Sequence, residues 1–306
     1  MEKPETVYHS FEEAVRACYG EKVFVAQTVR VAGGDINQAY RLLLTNGNSI
    51  FVKANKIGNM HFFETEKRGL DALRQPKAPS IPKTIGIGVD KQRNVSFLAM
   101  IYRERTPRIS SYWEIFGHEL AELHKAEAGA YTVRKGDKGK YGFIEDNYIG
   151  ASPQKNTLCE NWIDFYRDCR LIPQLRMAEK YFSDSLLQKA DRLLSHLNQY
   201  MREPEFPSIL HGDLWSGNIL CGPDGKAWLI DPAVYVGDFE TDLAMTQLFG
   251  SLPEKFYSAY NEINPVDWNG YKDRRLLYDL YHLLNHLNLF GGTYYDSVRK
   301  IIGMFA

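Results

Sequence analysis

The chain is poor in cysteine, with four in 306 residues (Cys18, Cys159, Cys169 and Cys221) and no CxxC pair among them. That excludes a disulfide framework and a zinc ribbon, and points to reduced thiols. No apolar run approaches the roughly 18–20 residues that a bilayer span needs. The first ten residues are polar and have no apolar core of the signal-peptide kind. Neither sign of charge is in excess, since 37 Lys and Arg face 38 Asp and Glu for a formal net charge of −1. The basic surplus that draws nucleic acid or an anionic membrane is therefore missing. Repeats, coiled-coil heptads, low-complexity tracts and the Gly-Lys-Ser/Thr of a Walker A loop are missing as well. The expected setting is cytoplasmic, with no nucleic acid and no membrane as partner; the oligomeric state is left open.

What is present is ordinary globular material, 44% apolar and 13% aromatic, in a chain long enough for a large core. Ser10 is placed to cap a helix over residues 11–18, with Glu12 and Glu13 at its positive end. Strands are expected at 23–31, 39–45 and 49–54, the last two joined by Asn46-Gly47, the strongest short hairpin signal. A helix follows at 61–74, closed by Pro76 and Pro79, then strands at 84–89 and 95–102. From Ile109 onward the pattern turns helical, first at 112–128. Residues 131–157, rich in Gly, Lys, Asp and Asn, read as a long surface loop. Further helices are expected at 159–171, 173–181, 184–202, 238–249, 253–262, 271–289 and 293–303. One β insertion interrupts them, 218–221 and 227–230 around the turn Gly222-Pro223-Asp224-Gly225. The fold class is α+β, with a sheet-rich lobe at 1–102 and a larger helical lobe at 103–306.

The chemistry concentrates in Leu210-His211-Gly212-Asp213-Leu214-Trp215-Ser216-Gly217-Asn218, which resembles the catalytic loop of the protein-kinase-like fold. Asp213 and Asn218 stand five apart, the spacing by which one loop presents a carboxylate to a hydroxyl and an amide oxygen to a metal. Asp231 follows thirteen residues later, at the end of the hairpin, where it and Asn218 can grip one Mg²⁺-phosphate cluster. Magnesium takes hard oxygen ligands and keeps several waters, so two protein oxygens and phosphates suffice. A nucleotide's phosphates need a glycine turn exposing backbone N–H groups, and Gly33-Gly34-Asp35 between two strands offers one. The cation expected next is Lys53 on the following strand, with Glu66 as its helical partner and Glu64 as the alternative. The main chain of Met100 and Tyr102, where a strand leaves the small lobe, is the expected adenine contact. His282 and His286 have zinc-ligand spacing, but Leu283 stands where the HExxH glutamate would be. His211 is expected to fix the catalytic loop, and His124 to be a packed structural histidine. No cysteine lies in the glycine turn, so no thiol switch is expected there.

With these residues placed, the chain resembles the fructosamine kinases, or ketosamine-3-kinases, relatives of aminoglycoside phosphotransferases and choline kinases. The resemblance runs over nearly the whole length. It includes residues 62–73, 120–124, Tyr148-Ile149-Gly150-Ala151-Ser152-Pro153-Gln154-Lys155-Asn156, 162–167, Arg170-Leu171 and 211–218. Its most specific stretch is 231–245, with Leu248-Phe249-Gly250 after it. The resemblance implies a bilobal kinase-like fold and ATP- and Mg²⁺-dependent phosphorylation of the 3-hydroxyl of ketoamines, adducts of glucose or ribose with amines or protein lysines. A 3-phosphate makes such adducts labile, which implies a role in deglycation. Position by position, Asp213 would be the catalytic base, Asn218 and Asp231 the Mg²⁺ ligands, and Lys53 with Glu66 the phosphate-orienting pair. The family often has Ser where this chain has Asp35, a carboxylate that would repel a triphosphate unless it points away or meets the metal.

A polyhydroxyl acceptor with an amine calls for aromatic walls and acidic groups. Trp215, Trp162, Tyr235 and the Asp238/Glu240/Asp242 cluster are the candidates, although Asp238 is equally placed to cap the helix that begins at Phe239. Fold alone does not fix substrate. A choline- or aminoglycoside-type kinase is therefore the rival enzyme, and a nucleotide-binding regulatory protein without turnover the rival from another class.

Overall fold

The computed structural model describes residues 7–31, 37–134 and 136–306. The first part is a six-stranded sheet carrying two helices. It runs β1 (Val7–Tyr8), α1 (Phe11–Tyr19), β2 (Val25–Val31), β3 (Gln38–Leu44), β4 (Ser49–Lys56), α2 (Met60–Ala72), β5 (Thr84–Asp90) and β6 (Val95–Ile101). The strand order is β1-β5-β6-β4-β3-β2, antiparallel except for β1, which lies parallel to β5. Ser10 caps α1, its hydroxyl accepting the Glu13 N–H at 3.1 Å.

Period-two alternation sorts each strand between two cores. Ile50, Val52 and Ala54 of β4 and Phe97 and Ala99 of β6 pack with Phe11 and Val15 of α1. Leu98 and Met100 turn the other way, with Phe63 and Leu70 of α2, into the larger core. Lys53 sits between Val52 and Ala54 in sequence, so it faces α2.

The remainder is mostly helical. It comprises α3 (Tyr112–His124), the hairpins β7 (Val133–Arg134)–β8 (Asp137–Lys138) and β9 (Asn147–Ile149)–β10 (Ser152–Gln154), then α4 (Trp162–Tyr166), α5 (Ile172–Ala178) and α6 (Asp184–Ser195). After β11 (Ser208–Leu210), β12 (Ile219–Cys221), β13 (Ala227–Leu229) and β14 (Tyr235–Gly237) come α7 (Glu240–Leu248), α8 (Glu254–Ile263), α9 (Tyr271–Phe290) and α10 (Tyr295–Met304). A short π-helix at Arg167–Leu171 joins α4 to α5, so the two helices expected at 159–171 and 173–181 run on as one irregular rod. The expected surface loop at 131–157 is corrected: Tyr141, Phe143, Asn147, Gln154 and Asn156 are all buried. Its buried amides Asn147, Gln154 and Asn156 bond to one another, while Asp137, Lys138, Lys140, Asp146 and Lys155 stay exposed.

Helices α3 and α8 approach closely enough that a Cβ on Gly117 would lie 2.3 Å from the Phe256 carbonyl oxygen. Gly117→Ala is expected to cost about 1–3 kcal/mol by overpacking, outweighing the helix-propensity gain of about 1 kcal/mol. Urea unfolding midpoints measure this; an unchanged midpoint would show that α8 yields.

Candidate active site

The expected lysine and its helical partner meet. On α2, Glu66 shares a face with Phe63 and Leu70, the face turned to β4, and its carboxylate bonds directly to Lys53 Nζ. Glu64 lies on another face beside His61, at 3.4 Å, which settles the alternative in favour of Glu66. Lys53 Nζ also contacts Asp231 Oδ1 at 2.6 Å. Burial opposes the lysine's charge, but Asp231 and Glu66 overcome it and raise its pKa. Burial dominates at Glu66 and raises its pKa, with Lys53 opposing.

Strand β11 delivers the loop 211–218, and the short pair β12–β13 returns the chain to Asp231. Asn218 Nδ2 donates to the Asp213 carbonyl at 2.8 Å and to Asp213 Oδ2 at 3.0 Å, and lies 3.4 Å from the Asp231 carbonyl. Three acceptors around the nitrogen fix the carboxamide's orientation, so its oxygen faces away from them. His211 receives the Asp213 N–H on Nδ1 at 3.3 Å and donates from Nε2 to the Ile230 carbonyl at 2.9 Å, which assigns the neutral Nε2–H tautomer. Its burial lowers its pKa. Asp231 adopts φ +56°, a left-handed conformation that Asp tolerates better than most residues but that still costs about 1 kcal/mol. Gly212, at φ +78°, has no such option: a Cβ there would lie 2.1 Å from the Ala233 carbonyl oxygen.

The loop is anchored from below by Asp242. Its Oδ2 accepts the His211 N–H at 2.7 Å and faces His124 Nε2 at 3.2 Å, while Oδ1 accepts the Gly212 N–H at 2.9 Å. The other nitrogen of His124 lies 2.8 Å from the Tyr260 hydroxyl. Burial would raise the pKa of Asp242, but His124 and these donors hold it below the ordinary carboxylate value. The half-buried Asp213 is pushed up to about 7, first by burial and then by the Asp231 and Asp242 charges, with the Asn218 hydrogen bond opposing. The loop thus offers a proton acceptor at one end and hard oxygens at the other.

The oxygen donors of Asn218 and Asp231 suit Mg²⁺. Among the described residues no group of three or more His, Cys, Asp or Glu could hold a metal unaided. A pair of protein oxygens completed by phosphate is the arrangement Mg²⁺ accepts.

Several acceptor candidates are corrected. Trp162 is fully buried and donates its indole N–H to the Tyr278 hydroxyl at 3.2 Å. Tyr235 is buried in β14, its hydroxyl on Thr241. Asp238 is buried as well, accepting the Glu240 N–H at 2.9 Å and the Tyr278 hydroxyl at 2.8 Å, so its carboxylate is taken up at the start of α7, just before the N-cap Phe239. Glu240 pairs with Arg274 at 2.6 Å, and Asp242 anchors the loop, as described. Of the candidates only Trp215 reaches solvent, 40% exposed, with its ring edge-on to Phe249 at 6.4 Å. Phe249 and the His286 ring 4.9 Å beyond it extend this aromatic row, a place that the sequence reading of those two residues did not give them. An exposed aromatic just past a helix end carries no pattern of its own.

Of the two expected adenine contacts, Met100 is engaged in the sheet, and Tyr102 through its N–H alone. Met100 pairs with Phe51 on one flank and Thr84 on the other, so its main chain lies inside the sheet. The Tyr102 N–H donates to the Ser49 carbonyl at 3.3 Å. Gly33, Gly34 and Asp35 lie outside the described residues. No helix among the described residues is long and apolar enough to cross a membrane.

The profile of the fructosamine kinase family matches residues 7–305. A probable ketoamine kinase of Synechocystis is 35% identical over 300 residues, covering 96% of this chain and 95% of the relative. A chloroplastic protein-ribulosamine 3-kinase of Oryza sativa subsp. indica is 38% identical over 285 residues, covering 92% of this chain and 80% of that one. A crystal structure from Haemophilus somnus, assigned as a fructosamine-3-kinase, superposes with a TM-score of 0.81 at 28% identity, covering 97% and 96% of the two chains. The kinase-like architecture is shared over nearly the full length of both chains, and the chain belongs to the fructosamine kinase family.

Proposed function

We propose that the protein is an ATP-dependent kinase that phosphorylates the 3-hydroxyl of ketoamines, fructosamine or ribulosamine adducts of amines or protein lysines. The observation that carries the reading is the convergence of Lys53, Glu66 and Asp231 beside Asp213 and Asn218, in a chain whose relatives are named for ketoamine and ribulosamine phosphorylation. Lys53, held charged by two carboxylates, neutralises the phosphate chain. Asn218 and Asp231 would hold Mg²⁺, which supplies charge stabilisation to the phosphates when bound. Asp213 orients the sugar hydroxyl and accepts its proton as the new P–O bond forms, while Trp215 walls the acceptor. Most of the acceleration comes from positioning and charge neutralisation.

The nucleotide sits between the lobes 1–102 and 103–306, its base against the main chain that follows the Tyr102 N–H. The product's 3-phosphate makes the adduct labile, which places the protein in deglycation, in a cytoplasmic setting. Burial, with the neighbouring carboxylates, pushes the pKa of Asp213 up to about 7, a poise suited to a general base.

ADP release tests the reading with a ribosylated or glucosylated lysine, with choline and with an aminoglycoside, each against ATP alone. The expected result is ADP formation dependent on the ketoamine and phosphate on its sugar. Turnover of choline or the aminoglycoside instead would reassign the substrate, and nucleotide binding without turnover would remove the enzyme.

A further inference from the structure

Beside the site runs a buried polar segment that the reaction scheme does not use. The Gly142 N–H and carbonyl bridge to Val236, at 3.0 and 2.8 Å. Asn147 Nδ2 donates to the Val234 carbonyl at 2.7 Å, and Gln154 Nε2 to the Ala233 carbonyl at 3.0 Å. These carbonyls lie two and three residues beyond Asp231, whose left-handed backbone needs surroundings that over-determine it. On the other side of Asp231, His211 and Asn218 hold Ile230. The strained residue is thus fixed from both ends.

The two carboxamides are themselves fixed. Gln154 Nε2 also donates to Asn147 Oδ1 at 2.8 Å, and its Oε1 accepts the Tyr281 hydroxyl at 2.7 Å. Asn156 Nδ2 donates to Asn147 Oδ1 at 2.9 Å, and Asn156 Oδ1 accepts from the buried Arg170 at 2.8 Å. Such a network, in which each oxygen and nitrogen of the three carboxamides has a partner, is rigid. The same segment reaches α2. The Tyr148 ring lies 4.8 Å from that of Phe62, one helical turn before Glu66, and Glu145 pairs at 2.5 Å with Arg68, two residues after it.

We propose that Asn147 and Gln154 are positioning residues for phosphoryl transfer: they clamp the Ala233–Val234 main chain, and so Asp231, while their own segment pins the helix that carries Glu66. The two partners of Lys53 are then held by one piece of chain. In protein kinases the equivalent parts must be brought into place before catalysis; here the clamp assembles them in the resting protein. This inference rests on the reading of Asp231 given above.

The test compares Gln154→Met, which keeps the side-chain length but loses every hydrogen bond, with Tyr281→Phe, which removes only the hydrogen bond to Gln154 Oε1, and with Asp231→Ala. Supporting partners of a metal ligand typically contribute about 10- to 100-fold in affinity or activity. Gln154→Met is expected to lose about that factor in kcat and in Mn²⁺ affinity of the ADP complex, with KM for a fructose-modified lysine unchanged. Hydrogen exchange of the nucleotide-free protein should quicken across residues 229–237 with far-UV dichroism preserved. Tyr281→Phe should move each readout in the same direction by less, and it decides the matter if Gln154→Met does not fold. A lower melting temperature with kcat and Mn²⁺ affinity intact would make the segment mere scaffold and overturn the clamp. If Asp231→Ala is dead while both clamp variants behave as wild type, the clamp alone falls. If Asp231→Ala keeps its turnover, the site reading falls and takes the clamp with it.

Discussion

Asp213→Asn is expected to reduce turnover by about two to four orders of magnitude, the usual contribution of a positioned general base, and to leave nucleotide affinity nearly unchanged. The substitution is isosteric. Asn218 Nδ2 donates both to the residue-213 carbonyl and to a side-chain oxygen that Asn still offers, and His211 contacts only the main chain of this residue. The loop therefore keeps its shape, and Lys53 and Asp231, the groups proposed to meet the nucleotide, are untouched. What disappears is the capacity to take a proton from the sugar hydroxyl. The melting temperature should hold or rise, because the lost charge is one that burial and two neighbouring carboxylates disfavour. Steady-state kinetics with a ribosylated amine, together with calorimetric titration of ADP, measure both halves. Turnover close to wild type would show that Asp213 only orients the acceptor. Turnover preserved while nucleotide affinity collapses would move the residue out of the acceptor side altogether.

The parts of this site that were legible in the sequence are those whose geometry is local. Asp213 and Asn218 share one loop, and thirteen residues of hairpin fix where Asp231 can go. The Lys53–Glu66 pair spans only a strand, a turn and a helix, and period-two alternation on β4 orients the lysine. What the sequence concealed is burial of polar and aromatic groups by partners far away in the chain. Trp162 and Tyr235 have the residue types of a sugar-binding wall, yet they meet Tyr278 and Thr241 inside the core. Asp238, Glu240 and Asp242 look alike in sequence but have three different partners: a helix N-terminus, an arginine and the catalytic loop. Strands β11 and β14, three residues each, pair across the whole catalytic segment and carry no periodicity long enough to read. Residues 131–157 have the composition of an exposed loop because composition cannot tell a solvated amide from one bonded to another amide.

Asp242 is the residue whose loss should reach furthest. It makes no contact with the expected substrates, yet its carboxylate accepts the two buried N–H groups of His211 and Gly212 and faces the His124 imidazole. Asp242→Ala strands all three, and breaking a buried charged network of this kind costs about 3–5 kcal/mol. That is a large share of the 5–15 kcal/mol by which domains are typically stable. The loop should loosen first, since the His211 and Gly212 N–H groups both donate to Asp242, so activity should fall at temperatures where the helices remain folded. The pH dependence identifies the cause. A carboxylate whose folded pKa lies below its unfolded value of about 3.9 contributes stability that is fully present above that value and is lost as pH falls through the folded one. Asp242→Asn, which cannot ionise, lacks this contribution at every pH. The gap in unfolding free energy between wild type and Asp242→Asn should therefore stay constant from pH 7 to about pH 5 and narrow below about pH 4. Urea titrations at pH 7, 5 and 3.5 measure it. A gap that stays constant to the lowest pH would mean that the ionised carboxylate is not what holds the loop, and that its anchoring resides in the shape of the side chain.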